Sequence, residues 1–155
     1  MSAAAVKIKV AWIGKTKEPA IQSLTDEYLK RIAHYAEAEG LAVKDEAAVL
    51  ALARPDRGKD RGKQGCRLVL LDSRGKQFAS EDLAAFLERE QVQAVPLLFA
   101  IGGSDGFTEE ARRQAALTLS LGKMTLPHEL ARVVVLEQIY RAFTILKRHP
   151  YHLGH

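Results

Sequence analysis

At 155 residues, 47% of them apolar and 27% charged, the chain can bury a core of its own and is too apolar to be disordered. A single cysteine, Cys66, excludes an intrachain disulfide framework and a four-cysteine zinc site, and the net charge of +4 is modest enough that its distribution matters more than its size. No apolar run approaches the ~20 residues of a membrane span, and Lys7 and Lys9 interrupt the apolar start where a signal peptide needs an unbroken stretch. A soluble, cytoplasmic, single domain over residues 1–155 is the expectation.

Val6, Ile8, Val10 and Trp12 alternate with Lys7, Lys9 and Ala11, the period of a half-buried strand ending at Gly14. From Pro19, the spacing Ile21, Leu24, Tyr28, Ile32 and Tyr35 predicts an amphipathic helix, with Gly40 just beyond its end. A short strand over Leu41 to Lys44 and a helical piece over Asp45 to Ala53 follow. RPDRGKDRGKQGCR, from Arg54 to Arg67, then reads as a loop rich in glycine and positive charge. Its Arg57, Lys59, Arg61 and Lys63 offer contacts to a phosphate backbone, although a solvated loop accounts for them equally well.

Leu68 to Leu71 form an unbroken apolar run, as expected of a strand covered on both faces. Ser80 is placed to cap a helix whose inner face holds Leu83, Phe86 and Leu87. Pro96 to Ile101 predict a second buried strand, followed by GGSDG. Thr108 opens a short helix, LTLSLG reads as a third buried strand, and HELARVVVLEQIYRAFTILKR predicts a long last helix ending before Pro150. Strands alternating with helices imply an α/β fold with a mostly parallel sheet and helices on both faces.

In such sheets ligands sit beyond the carboxyl ends of the strands. Three loops there stand out: Leu71–Asp72 onward, Gly102 to Gly106, and Leu121 to Pro127. Gly102-Gly103-Ser104-Asp105-Gly106 fits G-x-S-x-G between strand and helix, the setting of a hydrolase nucleophile, with Glu137 and His152 following in triad order. Glycines supplying a tight turn explain part of this, but not two adjacent glycines directly after a buried strand, where backbone can closely approach a ligand. No GK[ST] follows, so a Walker phosphate cradle is unsupported. His128-Glu129 is half of H-E-x-x-H, but position 132 is arginine. His149 and His152 straddle Pro150. No metal is expected.

The block IGGSDGFTEEARRQAALTLSLGKMTLPHELARVVVLEQIYRAFTILKRHPYH is more specific than periodicity. Its IGG-x-x-G-[FL], MTLPH-x-LAR, E-x-[IL]-YRA and terminal PYH segments closely resemble the RlmH (YbeA-like) family of SPOUT methyltransferases. The resemblance implies a trefoil-knotted α/β fold, an exception to un-threaded topology. It also implies a homodimer that uses S-adenosylmethionine to methylate N3 of a pseudouridine in 23S ribosomal RNA, with the large subunit or assembled ribosome as partner. By position, Leu71, Gly102, Gly103 and the loop Leu121, Gly122, Lys123, Met124, Thr125 and Leu126 match the residues that hold the cofactor. Tyr151 and His152 match a tail implicated in activity. Two departures accompany the match: Gly122 stands where relatives often carry serine, and Leu153 where they commonly carry arginine or lysine. The competing classes are a serine hydrolase acting through Ser104 and an inactive RNA- or ribosome-binding relative.

Overall fold

The computed structural model describes residues 6–54 and 65–153, without the side chains of 152 and 153. Five strands, β1 (Lys7–Ile13), β2 (Glu37–Val43), β3 (Arg67–Gln77), β4 (Leu97–Ile101) and β5 (Leu117–Ser120), form one sheet in the order β2-β1-β4-β3-β5. Every neighbouring pair is parallel, so all five carboxyl ends meet at one edge. The helices are α1 (Pro19–Ile32), α2 (Glu46–Ala53), α3 (Ser80–Gln91), α4 (Glu109–Gln114) and α5 (His128–Leu146), with a 3-10 turn at Pro150–Leu153.

Side chains alternate across the sheet and sort the core into two layers. Ile8, Val10, Val69, Leu71, Phe99 and Ile101 pack with α1, α3 and α5, through residues such as Ile32, Leu87, Leu136 and Phe143. Ala11, Leu68, Leu70, Leu98 and Ala100 pack with Val49 and Leu50 of α2 and Ala111 of α4. The alternation Val6 to Trp12 suggested a half-buried strand, but β1 lies between β2 and β4 and Ala11 is wholly buried. Alanine is small enough to carry little hydropathy signal while filling the thinner layer.

Four local expectations are corrected. Helix α1 stops at Ile32, three residues before Tyr35, and β2 starts at Glu37 instead of Leu41. Gly40 is therefore not a helix terminator. It lies in mid-strand, where a Cβ would come within 2.8 Å of Leu29 Cδ1 and 2.9 Å of the Trp12 ring. The glycine is there for a close approach of helix and tryptophan to the sheet. Ser80 does not cap α3: its hydroxyl donates to Gln138 Oε1 at 2.6 Å, while Asp82 accepts the backbone N–H of Ala79 at 2.8 Å. The strand LTLSLG ends at Ser120 and is an edge strand rather than a fully buried one.

The fourth difference shapes the site. Strand β3 does not end at Leu71 but runs to Gln77, and both Leu71 and Lys76 pair with Leu119 of β5. Residues 72–75 thus bulge out between two pairings to the same partner. Bulges of this kind re-aim side chains beside active sites. Gly75 brings the strand back, and a Cβ there would lie 2.5 Å from the Thr118 carbonyl, so only glycine fits.

Candidate active site

At the carboxyl edge of the sheet, the bulge of β3 and the ends of β4 and β5 surround a cleft of about 350 Å3, within the range of small-molecule sites. Its apolar wall is made by Leu71, Ile101, Leu121 and Leu126, and its polar side by Ser120, Thr125 and the backbone of residues 102–106. Gly103 and Gly122 each face open space where a Cβ would stand, which leaves their peptide groups accessible to a ligand. Gly122, at φ +137°, adopts a conformation that side chains disfavour. The hydroxyl of Ser120 donates to its carbonyl at 2.9 Å and accepts its N–H at 3.2 Å. Gly122 thus has no side chain of its own, but a hydroxyl two residues earlier braces its peptide groups.

Asp72 locks the cleft's second wall. Its side chain is 2% exposed and accepts the Nε and Nη2 of Arg74, both at 2.9 Å, in a bidentate pair. The backbone N–H groups of Arg74 and Phe107 also donate to it, at 2.9 and 3.3 Å. Arg74 Nη2 and Arg112 Nη1 reach the Phe107 carbonyl at 2.9 and 2.7 Å. One carboxylate thereby ties the bulge of β3 to the loop after β4 and to α4. The bonds from Arg74, chiefly, hold the Asp72 carboxyl at a pKa of about 2, against an opposing effect of burial. Gly106, at φ +72°, turns directly above this pair.

Of the expected cofactor residues, Leu71, Gly102, Gly103, Leu121, Gly122, Met124, Thr125 and Leu126 all line the cleft. Lys123 does not; it is exposed beside it. Met124 stands 86% exposed at the lip, so it covers nothing within a single chain. Ser104 lines the cleft, but Glu137 does not: its carboxylate accepts Arg141 Nε at 2.8 Å, midway along α5. Among the described residues no group of three His, Cys, Asp or Glu side chains is placed to hold a metal ion.

Tyr151 lies elsewhere. Its ring meets Tyr140 edge-on at 4.7 Å, Arg141 sits 5.1 Å from its centroid, and its hydroxyl approaches Glu137 Oε1 at 3.5 Å. Burial, first, and the neighbouring Tyr28 and Glu137 push its phenol up to about 12, so it stays protonated. Tyr140 is twelve residues along α5 from His128, which lines the cleft; that is roughly 18 Å at 1.5 Å per residue. The side chain of His152 lies outside the described residues. So do Arg57, Lys59, Arg61 and Lys63, although the flanking Ala53 and Cys66, joined by a 3.0 Å hydrogen bond, lie at the amino end of β3, opposite the cleft.

Sequence reasoning missed the Asp72–Arg74 pair and the position of His128 at the cleft. The signal for the first was an acidic residue directly ending an apolar strand, with arginine and glycine following.

A family model described as "Predicted SPOUT methyltransferase" matches residues 6–152. The chain belongs to the SPOUT methyltransferase family. A protein named ribosomal RNA large subunit methyltransferase H, from Koribacter versatilis, is 57% identical over 97% of this chain and 100% of its own length. The protein of that name from Geobacter sulfurreducens is 44% identical over 95% and 99%. Among solved structures, the SpoU methyltransferase AviRb of Streptomyces viridochromogenes, in complex with the cofactor AdoMet, superimposes with a TM-score of 0.51 at 16% identity, covering 91% of this chain and 58% of that one. This SPOUT likeness extends to the fold: an α/β architecture with a parallel sheet and helices on both faces, as the alternation of elements predicts.

Proposed function

We propose that this chain is an S-adenosylmethionine-dependent methyltransferase that modifies N3 of a pseudouridine in 23S ribosomal RNA, working as a single-domain protein over residues 1–155. The observation that carries this reading is the 57% identity over the whole length of a ribosomal RNA large subunit methyltransferase H. What supports the cofactor is the cleft itself. Its backbone at Gly103 faces open space and can hydrogen-bond an adenine or ribose, and its leucines and Ile101 offer an apolar bed for the rings. The ionised side chains in its lining are two carboxylates, Asp72 and Asp105, against one guanidinium, Arg74, a balance that suits a sulfonium cation.

The cofactor supplies an electrophilic methyl group when bound. The chain's own task is then to align and to move a proton, because methyl transfer needs in-line geometry more than covalent help. Gly102, Gly103, Leu121, Gly122, Thr125 and Leu126 hold the donor, with the Asp72 pair fixing the loop after β4. Tyr151 binds the acceptor base as a hydrogen-bond donor, and His152 accepts the imide proton of N3. In one chain Tyr151 is remote from the cleft, so we place these two residues at the cleft of a second copy in a homodimer. Exposed Leu24, Leu130 and Met124 offer apolar surface for that association.

The test is transfer of labelled methyl from S-adenosylmethionine to large subunits and whole ribosomes lacking this modification. Label at one pseudouridine N3 is expected. Cofactor binding without any transfer would replace the reading with that of an inactive ribosome-binding relative, and labelling of Ser104 by a fluorophosphonate would favour a hydrolase.

A further inference from the structure

The loop that follows β1, residues 14–18 with the sequence GKTKE, is held at three points although it belongs to neither core layer. Gly14 N–H donates to the Val43 carbonyl at 3.0 Å. Arg132 Nη1 donates to Thr16 Oγ1 at 2.8 Å, and Lys17 N–H donates to Glu129 Oε1 at 2.5 Å. Arg132 is itself 1% exposed, with its guanidinium 3.9 Å from the Trp12 ring centroid. A buried cation stacked on an aromatic is a rigid anchor. Glu129 is the residue after His128, which lines the cleft, so the loop is fastened to the helical turn that forms the cleft's rim.

The three attachments use the backbone and Thr16, and they leave Lys15 and Lys17 exposed. Among the described residues neither ammonium is in an ion pair. The cleft's own lining is short of positive charge, since Arg74 is committed to Asp72. A polyanion entering there needs cations from outside the lining. Arg67, at the described end of the basic stretch, begins β3 at the sheet's amino edge, away from the cleft. Residues 14–18, by contrast, leave β1 at the cleft's edge.

We propose that residues 14–18 form a preorganised phosphate-gripping loop for the RNA substrate, with Lys15 and Lys17 as the contacts and Arg132 and Glu129 as the residues that position them. The inference rests on the methyltransferase reading and adds to it a surface that the cleft alone does not supply. Holding both lysines in place lowers the ordering cost of each phosphate contact.

The experiment compares Lys15→Gln/Lys17→Gln, its charge-retaining partner Lys15→Arg/Lys17→Arg, and Lys30→Gln at the far end of α1. Binding to large ribosomal subunits and methyl transfer are followed from 50 to 200 mM salt, and S-adenosylmethionine affinity by calorimetry. The glutamine pair is expected to raise KM and the subunit Kd about tenfold, with kcat within twofold and cofactor affinity unchanged. Its log–log salt slope should fall by about 1.4 to 1.8, for two lost phosphate contacts. The arginine pair and Lys30→Gln should behave as wild type. An unchanged Kd and slope, or a loss of affinity explained by an altered oligomeric state, would overturn the proposal. If wild type transfers no methyl, the function fails instead, and the binding measurements still decide the loop.

Discussion

Replacing Asp72 with asparagine isolates the electrostatic part of the clamp at the cleft while keeping its shape. The carboxylate accepts four N–H groups, three of them at 2.9 Å, and its pKa falls from 3.8 to about 2. A shift of that size corresponds to roughly 2.4 kcal/mol at 1.36 kcal/mol per unit. Arg74 is 54% exposed, so solvent screens part of its share and about 1.5 to 2 kcal/mol is the better figure. The amide also turns one acceptor into a donor facing other donors, and such mismatches cost about 1 kcal/mol. The expected loss at pH 7 is therefore about 2 to 3 kcal/mol, a Tm lower by roughly 4 to 12 °C for a chain of this size. The sign with pH follows from linkage: a folded pKa below the unfolded one stabilises fully above 3.8 and loses that contribution as pH falls towards about 2. Urea melts of both proteins between pH 7 and pH 2.5 should show the gap closing below pH 4. A variant as stable as wild type at pH 7, or a gap that does not change with pH, would refute this account of the clamp.

Gly75→Ala should cost about 3 kcal/mol or more, because its Cβ would meet the Thr118 carbonyl at 2.5 Å and backbone cannot yield as a side chain does; chemical denaturation measures it. Gly40→Ala should cost less, about 2 kcal/mol, since its near groups, Leu29 Cδ1 and the Trp12 ring, are side chains that can shift where the Thr118 backbone cannot, and an equal loss in both variants would contradict the distinction. Arg132→Met should change global stability by no more than about 1 kcal/mol, as relief of a desolvated cation offsets the lost Trp12 and Thr16 contacts. Hydrogen exchange at residues 14–18 should nonetheless quicken, and the emission of Trp12, the chain's one tryptophan, should shift; unchanged exchange would show that the loop is held without Arg132.

Much of the architecture was legible as pattern. Alternation over Val6 to Trp12, the apolar runs at Leu68 and Leu97, and Pro19 and Thr108 at helix starts locate the beginnings of five elements within a residue or two. These are local matters of period, capping and backbone restriction. The blocks from IGG to PYH likewise carried the family, because their residue types are specific beyond what a helix or strand requires. Where the reading slipped, a second segment was deciding. By sequence Gly40 reads as a helix terminator, but the approach of Leu29 and Trp12 is what requires it, and Ser80 reads as a cap, but its hydroxyl bonds Gln138. The extension of β3 past Leu71 depends on Leu119 being paired twice, which no property of LDSRGK announces.

The same division runs through the site. Glycines 102 and 103, and the loop from Leu121 to Leu126, could be chosen from sequence because backbone access and strand ends follow from residue type and order. Their convergence with Asp72, Arg74 and His128 on one cleft could not, since it requires the strand order β4-β3-β5, set by packing among segments far apart in the chain. Tertiary structure alone also separates Tyr151 from that cleft and fastens residues 14–18 to its rim through Arg132, a residue that by sequence only spoiled a metal motif. Sequence determines what each segment can be by its own chemistry; which segments share a charge, a hydrogen bond or a wall is decided only when the folded chain brings them within a few ångströms.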